Sequence, residues 1–343
     1  MGTTARLESA ESAAPVSPDV SATAQEPLQV GGPYLSALLP RGAGGAVRLL
    51  SPMRYPGAKR QLIPLFNRLL MASPPRTFVE PFAGGASVAL HVAANGLAER
   101  VVLAEADPLV YSFWKTACSD SQWLINQVAE VDVSLEMWEH FKANPGRTRR
   151  DRALACLFLN RTSFSGILHD RAGPIGGRAQ SSAYKIDCRF PRDELTRRLR
   201  LVGELAKAGR IAAVLHGDYQ KTVAEARRRF GDDGLLLYLD PPFYAKAQTL
   251  YRRPFDDAGH RRLAAFVLGC AAPWVLSYDH HAAIEDLYST PLVRLPGDAE
   301  GQRRPTHRLE RLTLTYTAHS RRGSGDEYIV TNLPHLPTEE TTA

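Results

Sequence analysis

What the chain lacks narrows the field first. No apolar run approaches the roughly 20 residues that a membrane-spanning helix needs, so a soluble protein with no membrane partner is expected. The four cysteines, Cys118, Cys156, Cys188 and Cys270, are scattered, and no pair has zinc-ligand spacing. They read as reduced structural thiols, consistent with a cytoplasmic protein. No histidine or cysteine cluster suggests a metal, so none is expected. GxGxxG is missing, which argues against a pyrophosphate cradle. No basic start precedes an apolar core at the N-terminus, and Glu8 and Glu11 come early, so no secretory signal is expected. Arg6 is the only basic residue before Arg41, which also disfavours a transit peptide. No internal repeat is visible.

What is present is enough for one large domain or two smaller ones: 343 residues, 44% of them hydrophobic. The formal charge is +6, and the arginines cluster as "RTRRDR" at 147–152, "RRLR" at 197–200 and "RRR" at 227–229. Such runs are either solvated helix faces or a footprint for phosphate backbones, since arginine binds phosphate oxygens bidentately. Charge alone does not choose between them.

Residues 1–45 are rich in Ala, Ser, Thr, Pro and Gly and lack an apolar period, so a disordered tail is expected there, with a second short tail at 335–343. From about residue 76 strands and helices alternate. "TFVEPF", "RVVLAEAD", "IAAVLHGD", "GLLLYLDPPF" and "WVLSYD" each read as a buried strand. "ASVALHVAANG" reads as a helix capped by Gly96, and another helix begins near Pro108. Repeated strand–helix units imply an α/β fold, a mostly parallel Rossmann-like sheet with helices on both faces. Residues 121–205 break the rhythm and are expected to form an inserted helical and loop-rich subdomain, with 46–120 and 206–334 making the main domain. The segment "HRLERLTLTYTAHSRRGSGDEYIVTN" reads as two β segments around a polar, glycine-rich turn.

Ligands of an open parallel sheet bind beyond the carboxyl ends of its strands. "FVEPFAGGAS" lies at such an end, where Gly84 and Gly85 allow close backbone approach, although a plain tight turn fits them equally. Glu105 follows about twenty residues later, where an acid commonly holds ribose hydroxyls. Without a pyrophosphate fingerprint, the pair points to a nucleoside ligand such as S-adenosyl-L-methionine. "LLLYLDPPFY" then ends a strand in an acid, two prolines and two aromatics. Read plainly, it is a rigid turn. Read as chemistry, it suits an exocyclic amino group on a base, whose lone pair is tied up in the ring. Asp240 and the Pro241 carbonyl would accept its two N–H groups, Pro242 would stiffen the turn, and Phe243 would stack the base.

Several segments, in one order, resemble the Dam-like class of N6-adenine-specific DNA methyltransferases. "RYPGAKRQL" is similar to the family's opening segment, which implies cofactor contacts for Tyr55 and Lys59. "FVEPFAGGASVALHV" places Phe82, Gly84 and Ser87 at cofactor-contacting positions, and "LAEADP" places Glu105 at the ribose acid. "LHGDY" resembles the Asp-aromatic pair beside the cofactor adenine, here Asp218 and Tyr219. "LYLDPPFY" matches the catalytic segment, with Asp240 also beside the cofactor, and "FLNRTSFSGI" resembles the Asn-Arg helix end before the recognition region. The resemblance spans 53–332. It implies a site-specific, S-adenosylmethionine-dependent enzyme that methylates a flipped adenine in double-stranded DNA, from a bacterial or phage source.

Two departures stand out. The fourth catalytic position, most often Tyr in that family, is Phe243 here, with Tyr244 next to it. The stretch "HDRAGPIGGRAQSSAYKIDCRF" does not match relatives that read GATC. In the insert, Arg149, Arg150 and Arg161 are candidate phosphate contacts, although Arg161 also suits a structural role at a helix end. C5-cytosine chemistry is disfavoured because no Pro-Cys dipeptide occurs. An N4-cytosine target, RNA or protein amides, and a DNA-binding regulator without catalysis are the alternatives.

Overall fold

Five apolar runs become five parallel strands: Thr77–Glu80, Arg100–Glu105, Leu235–Leu239 and Trp274–Asp279 are buried almost throughout, and Ile211–His216, at the sheet edge, mixes buried and exposed residues. The computed structural model describes residues 50–55, 59–245, 247–289, 292–293, 304–305, 307–316, 323–334 and 336. The tail expected at 1–45, most of 335–343 and the turn at 317–322 lie outside the described residues.

In chain order the elements are α1 (Ile63–Ala72), β1 (Thr77–Glu80), α2 (Ser87–Asn95), β2 (Arg100–Glu105), α3 (Pro108–Ser119), α4 (Ser121–Glu130), α5 (Leu135–Ala143), α6 (Arg149–Thr162) and α7 (Arg192–Lys207). There follow β3 (Ile211–His216), α8 (Tyr219–Phe230), β4 (Leu235–Leu239), α9 (Ala247–Leu250), α10 (Asp257–Leu268), β5 (Trp274–Asp279) and α11 (Ala282–Leu287). The short β6 (Leu292–Val293) and β7 (Arg304–Pro305) pair with each other, and β8 (Arg308–Tyr316) and β9 (Gly323–Thr331) close the main sheet.

The seven-stranded sheet has the order β3-β2-β1-β4-β5-β9-β8. The first five strands are parallel, and β9 runs antiparallel between β5 and β8. The chain builds outward from β1 to β3, then returns to lay β4 on the other side of β1. That reversal between β1 and β4 opens a crevice at their carboxyl ends, where such sheets bind ligands.

Alternate residues feed two cores, as the strand pleat requires. Phe78, Leu103, Leu236 and Tyr238 pack on one face with α1, α2 and α3. Val79, Val102, Leu237 and Leu276 pack on the other with Val223 of α8, Leu263 of α10 and Ile284 of α11. Each such side chain contributes about 1.5–3 kcal/mol on burial. Gly96 is left-handed (φ 64°) at the end of α2, and Asp107 caps α3 by accepting from Leu109 N at 2.8 Å, with Pro108 in the first turn.

The helices of 121–205 do not build a core of their own. Leu124, Val128, Trp138, Phe158, Leu195 and Leu199 belong to the same buried cluster as Phe78 and Leu103. The reason lies in α6: Ala153 and the run from Ala155 to Thr162 are all buried, so this helix must be covered from several sides. The irregular stretch between α6 and α7 is where exposed Phe164 and Tyr184 lie.

Candidate active site

At the carboxyl end of β1 the chain turns through Gly84 and Ala86, both left-handed (φ 42° and 48°), before entering α2. A Cβ on Gly84 would lie 2.7 Å from Tyr55 Cε1, and one on Gly85 would lie 2.8 Å from Tyr55 Cβ. The close approach that the two glycines permit is therefore taken by the Tyr55 ring, which forms a wall of the crevice.

Glu105 ends β2 and fastens this turn. Its Oε2 accepts from Gly84 N at 3.0 Å, and its Oε1 accepts from Ala106 N at 2.8 Å and Asp107 N at 3.0 Å. Burial raises its carboxyl to about 7, against the pull of those N–H donors.

Asp240 stands directly after β4. Its Oδ1 accepts from Ser277 Oγ at 2.9 Å and lies 3.2 Å from Lys59 Nζ. Ser277 is in turn 3.0 Å from the Tyr238 hydroxyl. Among the described residues Oδ2 has no donor. Burial raises the Asp240 carboxyl to about 6; Lys59 and Ser277 oppose the rise, and Glu327 adds to it. Lys59 is buried, which disfavours its charge, but Asp240 and Glu327 outweigh this and hold its ammonium above the ordinary value. Its Nζ also lies 4.7 Å from the centre of the Phe243 ring, so one face of that ring is covered by a cation.

Phe243 and Tyr244 point to different places. Phe243 meets Tyr251 edge-on, with ring centres 5.9 Å apart. Tyr244 donates its backbone N–H to Asp279 Oδ1 at 2.8 Å and its hydroxyl to Asp257 Oδ1 at 2.9 Å, and packs against His260 and His281. It stands on the α10 side, away from Lys59.

Two adjoining hollows share Tyr55, Phe82, Gly84, Asp240 and Tyr251, and the larger has a volume of about 240 Å³. Ser87 lines the smaller hollow, and Glu105, Asp218 and Pro242 line the larger. Asp218 also caps α8 by accepting from Lys221 N at 3.0 Å. Tyr219 stays behind the wall, packed tilted against Phe82 with ring centres 5.6 Å apart and edge-on to Phe266 at 5.1 Å.

The three arginines are elsewhere. Arg149 and Arg150 begin α6, about 16 Å along the helix from Asn160. Asn160 clasps the backbone next to Tyr55: its Oδ1 accepts from Arg54 N at 2.7 Å, and its Nδ2 donates to Arg54 O at 2.6 Å. Arg150 is paired with Asp120 at 2.6 Å and lies over Trp123. Arg161 is 4% exposed and donates from Nε to Arg189 O at 2.6 Å, holding that segment onto α6. Burial, then Arg198, Arg54 and Arg189, lower its guanidinium to about 9.

Four contributors carry no assignment from the sequence. Glu80, buried and accepting from Ala89 N at 3.0 Å, lines the smaller hollow; its signal was a carboxylate at the end of β1. Tyr251 and Arg252 cross the mouth. Tyr251 lies 6.0 Å from Tyr55, and Arg252 bridges Asp107 at 3.0 Å and Asp170 at 3.4 Å. Glu327 arrives from β9, 3.3 Å from Lys59. No local signal in the sequence marks these last three residues.

No group of three or more His, Cys, Asp or Glu among the described residues has metal-holding geometry, and no described helix is long and apolar enough to cross a membrane. Comparison with curated proteins gave no match. Residues 55–299 match the family described as D12 class N6 adenine-specific DNA methyltransferase, and the chain belongs to that family.

Proposed function

We propose that this N6-adenine DNA methyltransferase takes its methyl group from S-adenosyl-L-methionine bound in the crevice between β1 and β4, and that Asp240 receives the amino group of an adenine flipped out of double-stranded DNA. The observation that carries this reading is the division of labour on Asp240: both protein donors engage Oδ1, leaving Oδ2 for a substrate N–H.

The hollow suits the donor's chemistry. Glu105 offers carboxylate lone pairs for ribose hydroxyls, Phe82 and Tyr55 offer apolar walls, and Asp218 stands at the rim. Ser87, Gly84 and Lys59 line the part nearest Asp240. When bound, the donor supplies a methyl group already activated on a sulfonium, so positioning accounts for most of the catalysis.

The chain's own residues deal with the amino group. Asp240 Oδ2 and the Pro241 carbonyl accept the two N6–H bonds and polarise them, drawing the nitrogen lone pair out of conjugation. On gaining the methyl group N6 would shed a proton, for which Asp240 Oδ2 is the acceptor at hand. Phe243, with Lys59 over one face, is the ring proposed to stack on the base. Pro241 and Pro242 fix the turn.

For the duplex, the phosphate contacts are proposed on the insert. Arg149 is exposed and has no acid partner among the described residues, which suits such a contact. Arg150 is spent on Asp120, and Arg161 would act through the Arg189 segment it holds.

The test is transfer of a labelled methyl group from S-adenosylmethionine to mixed-sequence duplex DNA, followed by digestion to nucleosides. Label in N6-methyladenine is expected. Label in cytosine, or none with folded protein, would refute the reading.

A further inference from the structure

We infer that Glu327 is a positioning residue for Asp240, acting through Lys59. The inference rests on the reading of Asp240 as the N6 acceptor.

Three facts carry it. First, Lys59 Nζ is suspended between two carboxylates at nearly equal distance, 3.2 Å from Asp240 Oδ1 and 3.3 Å from Glu327 Oε1. Second, Lys59 and Glu327 side chains are each 3% exposed, whereas Asp240 is 22% exposed. The two deep members are thus set as a fixed pair behind the one that faces the substrate. Third, Glu327 comes from the antiparallel strand β9, paired with Asp279 of β5, far in sequence from the DPPF turn. At that position the buried Glu327 carboxylate meets the Lys59 ammonium.

The consequence is chemical. If Lys59 faced Asp240 alone, the ion pair would be neutral, and the ammonium would be drawn wholly onto the acceptor oxygen. Sharing Lys59 with Glu327 leaves the triad with a net negative charge. Asp240 thereby stays basic enough to polarise an amino group while still holding a hydrogen-bonded, fixed orientation. The other groups around Asp240 are Glu80, Tyr238, Tyr251 and Tyr278, with Ser277 donating to it, and Asp279 is the cross-strand neighbour of Glu327. None of these is a cation, and among the described residues Lys59 is the cation that both Asp240 and Glu327 contact. Glu327 also raises the Asp240 carboxyl, in the sense this requires.

The experiment is a pH series of single-turnover methylation for wild type, Glu327→Gln and Glu327→Asp, with donor affinity measured alongside by calorimetry. Glu327→Gln should move the acid limb down by about one pH unit and lower the plateau rate about tenfold, with donor affinity within about threefold. Glu327→Asp keeps the charge and should keep the acid limb near that of wild type. A merely structural glutamate would lower thermal stability and leave the acid limb in place, which would overturn the proposal. If Glu327→Gln does not fold, the Lys59→Gln/Glu327→Gln double variant decides. It should be no slower than Lys59→Gln alone, because the two act as a unit; a further tenfold loss would overturn the proposal. Asp240→Asn serves as the reference: if it retains near-wild-type rate, the acceptor reading itself has failed. If it is inactive while Glu327→Gln is unchanged, only the Glu327 proposal has failed.

Discussion

Lys59 and Asp240 meet end to end on the floor of the crevice, Nζ 3.2 Å from Oδ1. The contact fixes the carboxylate and favours its ionised form. Replacing Lys59 by Met removes the cation that holds the Asp240 carboxyl down. The acid limb of the methylation rate should then move upward, and the rate at pH 7 should fall about tenfold. A pH series of single-turnover rates checks this; an unmoved limb would mean that the contact is only structural.

The wild-type enzyme should lose activity as pH falls through about 6, the value to which burial raises Asp240. The sign follows from the role: an acceptor must be ionised, and proton uptake below that value removes the lone pair that N6 requires. The rate should fall about tenfold per pH unit below the limb. A flat profile from pH 5 to 8 would exclude Asp240 as the titrating acceptor.

Donor binding should have its own pH dependence. The Glu105 carboxyl is raised to about 7, so its ionised form is lost as pH falls below neutrality. Affinity for S-adenosylmethionine should be weaker at pH 6 than at pH 8, and Glu105→Gln should weaken it about tenfold, in keeping with the loss of a charged hydrogen bond. Calorimetry at the two pH values, with both proteins, tests this.

Gly84→Ala combines two costs. The residue is left-handed, and the new Cβ would stand 2.7 Å from Tyr55 Cε1. The expected destabilisation is about 1–3 kcal/mol, with weaker donor binding as Tyr55 is displaced. Thermal denaturation with and without donor measures both.

The parts of this molecule that could be read along the chain are those governed by local rules. Strands β1, β2, β4 and β5 are apolar runs because both faces of the sheet are covered there, and Pro108 with Asp107 marks the start of α3. Asp240, Lys59 and Glu105 were singled out at strand ends or through family resemblance, and they line the two adjoining hollows. Glu327 and Tyr251 were not. The first reaches Lys59 only through the register of β9 on β5, and the second through the path of an irregular segment. Nothing local in 121–205 says that Leu124, Phe158 and Leu195 join the buried cluster that holds Phe78. The arginine runs gave no sign that Arg150 would be spent on Asp120, whereas Arg161, for which a structural role at a helix end was one of the two readings, is buried against Arg189.

The central claim, that Asp240 accepts the adenine amino group, is tested most directly by Asp240→Asn. The substitution keeps shape and replaces one acceptor oxygen by a donor. The account predicts a fall in single-turnover methylation of at least about a hundredfold, while affinity for S-adenosylmethionine changes by no more than about threefold. A variant that methylates adenine at near-wild-type rate would contradict it.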